Sequence, residues 1–217
     1  MISLVAFLGN YGQNYELTRH NAAWLFGDSL PFASKLYWQS GFKGSYATVS
    51  MADFNQWAYE YKLALNKDGH QLVVPASAPG KIYFLRPETY MNLSGESVAA
   101  FSSFYKLKPE EILVIHDELE LPCGTISLKW SGGLGGHNGL RSVKKSLGTA
   151  DFWRLRFGIG RPEHNNIADY VLGRFTENEQ SLLSQTFSLG SILFARLILS
   201  SDPARLLPEW NKKKIPA

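Results

Sequence analysis

Polar residues follow the apolar runs of this chain in a repeated way. Asn10 comes after the run 3–8, and Asn92 lies in the loop after the run 81–85. Asp117 directly follows 112–115, and Asn138 follows the loop Gly132-Gly133-Leu134-Gly135-Gly136-His137. If each run is a strand of an open α/β sheet, these side chains point into the crevice beyond the strands' C-terminal ends, where such sheets bind ligands. His20 stands at the expected start of a helix capped by Thr18. The positive helix end disfavours imidazolium, so His20 is expected to be neutral and able to accept a proton. A carboxylate such as Asp117 would orient the ring and stabilise it once charged. That is the equipment of a general base acting on water. Asparagine amides can donate to and accept from a peptide backbone without reading its side chains.

Other chemistries are excluded by what the sequence lacks. There is no G-x-S-x-G nucleophile elbow and no G-x-x-x-x-G-K-[ST] phosphate loop. The glycine-rich loop is not G-x-G-x-x-G, because Asn138 stands at the third glycine position. No H-E-x-x-H occurs, and a single cysteine cannot build a structural zinc site, so neither metal nor cofactor is expected. His116 and His137 read as supporting or structural residues, and Cys123 as a small packing residue in a turn.

The elements that must position these groups alternate between strand and helix. Strands are expected at 3–8, 81–85, 112–115, 124–130 and 152–159, the third a β-branched run suited to burial on both faces. Helices are expected from near His20, from Ser94, from near Asn138, and from the capping box Thr176-x-x-Glu179 through Leu199. The fold class is α/β, one mixed sheet with helices on both faces, spanning residues 1–200 as a single domain. Residues 50–80 form an irregular insertion, with a hairpin turning at Lys67-Asp68-Gly69. Residues 201–217, with Lys212-Lys213-Lys214 ahead of Pro216, read as a frayed, solvated tail.

With 217 residues, 45% of them hydrophobic and 19% charged, the chain can fill a real core. Apolar runs such as 112–115 and 192–194 stop far short of the ~20 residues of a membrane span. The N-terminal run lacks a basic flank, so it reads as a strand and not a signal peptide. The lone cysteine fits a reducing cytoplasm. A net charge of +3 and a pI of about 8.9 permit a nucleic-acid partner without demanding one.

Five motifs together resemble bacterial-type peptidyl-tRNA hydrolases. They are Leu8-Gly9-Asn10-x-Gly12-x-x-Tyr15-x-x-Thr18-Arg19-His20-Asn21, Pro87-x-Thr89-Tyr90-Met91-Asn92-Leu93-Ser94-Gly95 and His116-Asp117-Glu118-Leu119-x-Leu121-Pro122-x-Gly124. Gly135-Gly136-His137-Asn138-Gly139-Leu140-Arg141-Ser142 and Arg154-Leu155-Arg156-x-Gly158-Ile159-Gly160-Arg161-Pro162 complete the series. The resemblance implies a monomeric, cofactor-free esterase that frees tRNA from prematurely released peptidyl-tRNA. It makes His20 the base that activates water, with Asp117 in support and Asn10 separating N-blocked from free aminoacyl-tRNA. Tyr15, Tyr90, Asn92 and Asn138 would hold the aminoacylated 3′ end and the peptide, and Lys129 and Arg156 would grip acceptor-stem phosphates. Tyr11 stands where the family usually has proline, which is expected to loosen the loop carrying Asn10, and the segment from about 49 to 80 is longer than the family norm. Two other readings compete, an RNA-binding module and a small-molecule amidase using the same His/Asp pair.

Overall fold

Strand β1 (Leu4–Phe7) is buried along its whole length, and its side chains divide between two cores. Val5 and Phe7 join one cluster; Leu4, Ala6 and the following Leu8 join another. That alternation is the signature of a strand covered on both faces. The computed structural model describes residues 1–65, 69–70, 72, 74–162 and 166–215. On one face pack helices α1 (Ala22–Ser29), α2 (Met51–Glu60) and α6 (Glu177–Leu199), sharing Phe26, Phe54 and Phe194 with the sheet. On the other pack α3 (Ser94–Phe104) and α4 (Asn138–Leu147), through Val98, Phe101, Leu140 and Val143. A short α5 (Ile167–Leu172) precedes α6.

The strands are β1, β2 (Gln39–Gly41), β3 (Gly44–Ser50), β4 (Lys81–Pro87), β5 (Ile112–Glu118), β6 (Thr125–Trp130), β7 (Trp153–Gly158) and β8 (Lys213–Lys214). Their order across the sheet is β2-β3-β4-β1-β5-β7-β6-β8. The pairs β1–β4, β1–β5 and β5–β7 are parallel, and the flanking pairs are antiparallel. This is the mixed sheet expected from the sequence. The parallel centre sends β1, β4, β5 and β7 out of the same edge, and the candidate site forms there.

Several expectations need correction. Strand β5 runs on through His116, Asp117 and Glu118, all buried, so Asp117 lies within the strand and does not follow it. The first part of the presumed irregular insertion is helix α2, begun by Ser50, whose hydroxyl accepts from the Asp53 amide. The chain does double back there, with Leu72 N–H donating to the Ala64 carbonyl at 2.8 Å; Lys67 and Asp68 of the expected turn lie outside the described residues. The presumed frayed tail is docked. Trp210 is buried, Leu128 N–H donates to its carbonyl at 2.9 Å, and β8 pairs with β6. Helix α6 is long and apolar enough by composition to match a membrane span, although the sequence runs alone suggested none. Of that stretch 61% is buried inside the fold, and Leu193, Phe194 and Leu197 belong to the core. Its start follows the capping box, with Thr176 Oγ1 accepting from Glu179 N–H and Glu179 Oε2 from Thr176 N–H.

Candidate active site

His20 reaches the site through a distorted entry to α1. Residues Arg19–Asn21 form a 3₁₀ turn ahead of the helix. Thr18 does not cap it, because its hydroxyl donates to the Tyr15 carbonyl at 2.8 Å. The turn is pinned from outside instead. Arg19 N–H donates to the Gly173 carbonyl at 2.9 Å, and the Arg19 guanidinium pairs with Glu179 at 2.8 Å and lies over the Tyr170 ring. The buried His20 ring then meets Asp117 at the end of β5, Nδ1 to Oδ1 at 2.9 Å, across 97 residues of sequence.

A second imidazole completes the group. His137 Nε2 lies 2.9 Å from the same Asp117 oxygen. His137 is the N-cap of α4, and its Nδ1 accepts from the Gly139 and Leu140 amides at 3.1 and 3.3 Å. An acceptor Nδ1 places the ring proton on Nε2, so His137 donates to Asp117. Asp117 Oδ1 thus takes two imidazole donors, and among the described residues Nε2 of His20 has no hydrogen-bond partner, which leaves it as the basic nitrogen. His137, expected as a supporting or structural residue, contacts Asp117 directly; its place at the cap position before α4 is the signal that could have found the contact.

These contacts set the charges. Burial lowers the His20 pKa, but the charge and hydrogen bond of Asp117 outweigh it, and the net shift is upward. The expectation that a helix end holds His20 neutral is therefore corrected: α1 begins only at Ala22, and the carboxylate dominates. Burial opposes ionisation of Asp117, yet its two imidazole partners, His20 and His137, hold its carboxyl well below the usual range. His116, fully buried with Nδ1 on the Asp117 carbonyl at 2.6 Å, is pushed well down by burial and stays neutral.

The ligand atoms of His20, Asp117 and His137 lie within 4.8 Å of one another, close enough to suggest a metal. The donor set does not fit one. A metal on His137 Nε2 would force the ring proton onto Nδ1, against two backbone N–H donors that now point at it.

The asparagines divide by role. Asn10 is clamped by Asn21, which accepts from its N–H at 2.8 Å and donates to its carbonyl at 3.0 Å. Asn10 Oδ1 accepts from Met91 N–H at 2.8 Å, so the side chain offers its Nδ2 donor, not its acceptor, to a ligand. Asn21 is a positioning residue, with a role that its place in the first motif alone did not reveal. Asn92, in the turn Met91–Leu93, and Asn138, the first residue of α4, are both exposed at the rim. Tyr15 and Tyr90 meet edge to face with ring centres 6.4 Å apart, and Tyr90 is 61% exposed. Tyr11 does not simply loosen its loop: its N–H donates to the Thr89 carbonyl at 3.3 Å, a bond that proline could not make.

Lys129 and Arg156 line one cleft beside Glu118, the neighbour of Asp117. Lys129 is half-buried, whereas Arg156 is buried and engaged, with Nη1 on Glu118 at 3.2 Å and Nη2 on Ser127 Oγ at 2.8 Å.

The double hydrogen bond on Asp117 yields a prediction. His137→Asn keeps a side-chain acceptor for the α4 N-terminus but is too short to reach Asp117. Without the second donor, Asp117 acts more strongly on His20 and raises its pKa further. The acidic limb of the kcat/KM profile should then move to higher pH, with kcat lower by roughly 10- to 100-fold, the worth of one hydrogen bond to a charged group. A limb that stays in place while kcat falls would show His137 to be only a cap.

The family model described as peptidyl-tRNA hydrolase matches residues 4–217. A protein named peptidyl-tRNA hydrolase from Treponema pallidum is 43% identical over 99% of this chain and 96% of its own length. One from Neisseria meningitidis is 45% identical over 80% of this chain and 78% of its own. Among solved structures, peptidyl-tRNA hydrolase from Acinetobacter baumannii superposes with a TM-score of 0.77 at 35% identity, covering 98% of this chain and 96% of the other. A fold, a catalytic-type cluster and a whole-length match that agree leave one assignment: the chain belongs to the peptidyl-tRNA hydrolase family.

Proposed function

We propose that this enzyme hydrolyses the ester between a peptide, or an N-blocked aminoacyl group, and the 3′ end of tRNA. The observation that carries the reading is the His20–Asp117 pair, whose His20 Nε2 has no hydrogen-bond partner among the described residues, together with Asn10, whose Oδ1 is spent on Met91 N–H so that Nδ2 is the donor on offer. In the mechanism, Asp117 fixes the His20 ring by accepting from Nδ1–H. Nε2 then removes a proton from water as the oxygen attacks the ester carbonyl, and Asp117 balances the imidazolium that results. The same proton can return to the 3′ oxygen as it leaves. Asn10 Nδ2 is placed to donate to a peptide carbonyl, a group that only an N-blocked substrate carries beyond its ester. Tyr15 and Tyr90 offer ring surface to an unpaired terminal base, and Asn92 and Asn138 offer amides at the rim. The basic cleft beside Glu118 faces the phosphates of the acceptor stem. A monomer acting in the cytoplasm is the setting proposed with this reading.

The test compares N-acetyl-aminoacyl-tRNA with unblocked aminoacyl-tRNA. Turnover should strongly favour the blocked substrate and should persist in EDTA. Equal rates on both, or a peptide amide cleaved without tRNA, would refute the reading in favour of a small-molecule amidase. Tight tRNA binding without turnover would favour an RNA-binding module.

A further inference from the structure

Arg154 on β7 is 1% exposed and is one of the largest side chains buried in the fold. Among the described residues no carboxylate stands within ion-pair distance of it, whereas Arg156, two residues on, is paired with Glu118. A buried cation without a counter-ion is costly unless dipoles take the place of the missing charge. Here they do. Nη1 donates to the Gly133 carbonyl at 2.8 Å, and Nη2 donates to the Gly132 carbonyl at 3.0 Å and to that of Ser131. Burial and the charge of Arg156, only partly offset by Glu118, push the guanidinium down to about 10, so it stays charged at neutral pH.

The three carbonyls belong to the glycine-rich loop between β6 and α4, which has no helix or strand of its own. Ser131, Gly132, Gly135 and Gly136 have φ between +49° and +85°, a path that suits few residues besides glycine. So glycine-rich a segment loses much entropy on ordering and needs a hold from outside itself. Arg154 supplies that hold at the start of the loop. At its end stands His137, whose N–H donates to the Leu134 carbonyl at 3.0 Å and whose Nε2 lies 2.9 Å from Asp117. A lysine could not do the same, because ammonium is a point charge, whereas the planar guanidinium meets three carbonyls in one fixed fork.

We infer that Arg154 is a positioning residue for the reaction: it fixes the loop that delivers His137 to Asp117, and so sets how strongly Asp117 acts on His20. It works through those two side chains and not on the ester itself. The inference rests on the reading of His20 as the base. The charged and titratable groups along this path are Asp117, His137 and His116 at the His20 end, and Glu118, Arg156 and Lys129 at the Arg154 end. Arg19, next to His20 in the chain, is paired with Glu179. Arg154 also acts on His116 by charge, so its charge and its hydrogen bonds have to be tested apart.

Arg154→Lys keeps the positive charge and removes the fork, whereas Arg154→Gln removes both. With N-acetyl-aminoacyl-tRNA as substrate, Arg154→Lys should lower kcat severalfold and move the acidic limb of the kcat/KM profile to higher pH. That is the direction expected for His137→Asn. A minimal peptidyl-adenosine ester should show the same loss of kcat and the same limb shift, since the effect lies at His20 and not in the grip on tRNA. In a His137→Asn background, Arg154→Lys should move the limb no further, because the contact it supports is already gone. A wild-type limb in Arg154→Lys would overturn the inference. So would a shift that persists undiminished beside His137→Asn, or one confined to Arg154→Gln, since either marks an effect of charge through space. Loss of cooperative unfolding in both Arg154→Lys and Arg154→Gln would make Arg154 a residue of the fold and overturn the inference as well. Failure of the unaltered chain to cleave N-acetyl-aminoacyl-tRNA would instead remove the functional reading, and would be seen before any variant is compared.

Discussion

His20→Ala should lower kcat by on the order of 10²–10⁴, the usual worth of a positioned general base. The reason is geometric: Nδ1 is spent on Asp117, and Nε2 has no hydrogen-bond partner among the described residues. The fold should survive the change. Asp117 keeps its hydrogen bond from His137, so the buried carboxylate is not left without a donor. The loop carrying Asn10 is held by Asn21 and Met91, through hydrogen bonds that do not involve the His20 ring. Thermal unfolding should therefore remain cooperative, and tRNA affinity should change little. Near-normal kcat in a folded His20→Ala protein would refute the mechanism, and loss of both fold and binding would make His20 a structural residue.

Asp117→Asn should cost on the order of 10²–10⁴ in kcat, because an amide neither balances imidazolium nor holds one tautomer. Its effect on pH dependence has a definite sign. Asp117 raises the His20 pKa, and activity falls as pH drops through that raised value, since the protonated ring is no longer a base. Removing the carboxylate lowers the His20 pKa, so the acidic limb should move to lower pH while the plateau drops. This is opposite to the shift expected for His137→Asn, and the pair of variants tests whether Asp117 couples the two histidines. Stability should respond as well. A carboxyl held low in the folded state contributes stability above its unfolded pKa of about 3.9, lost as pH falls toward its folded value. The acid side of the unfolding profile should therefore flatten in Asp117→Asn. An unmoved limb and an unchanged acid profile would separate Asp117 from His20.

By itself the sequence determined the core strands of a mixed sheet and most of the helices. β1 and β5 are continuous apolar runs, α6 opens with a capping box, and α4 begins after a glycine loop. These signals are local: each run needs burial on both faces, and each cap satisfies its own helix end. The pairing of His20 with Asp117 came from the residue types and the motif resemblance, because no spacing rule links positions 97 residues apart.

What only the tertiary structure decided is polar and distant. Strand β2 is a short, largely exposed segment at the sheet edge, with no apolar pattern to reveal it. The lysines of β8 become a strand through main-chain bonds to β6, a register that side-chain hydropathy does not encode. The tautomer of His137 depends on two amides of α4 and one carboxylate of β5, and the direction of Asn10 depends on Asn21 and Met91. Hydrogen bonds of this kind are short in space and unconstrained in sequence separation. Composition could name the groups, and only the packed sheet and helices could say which one donates to which.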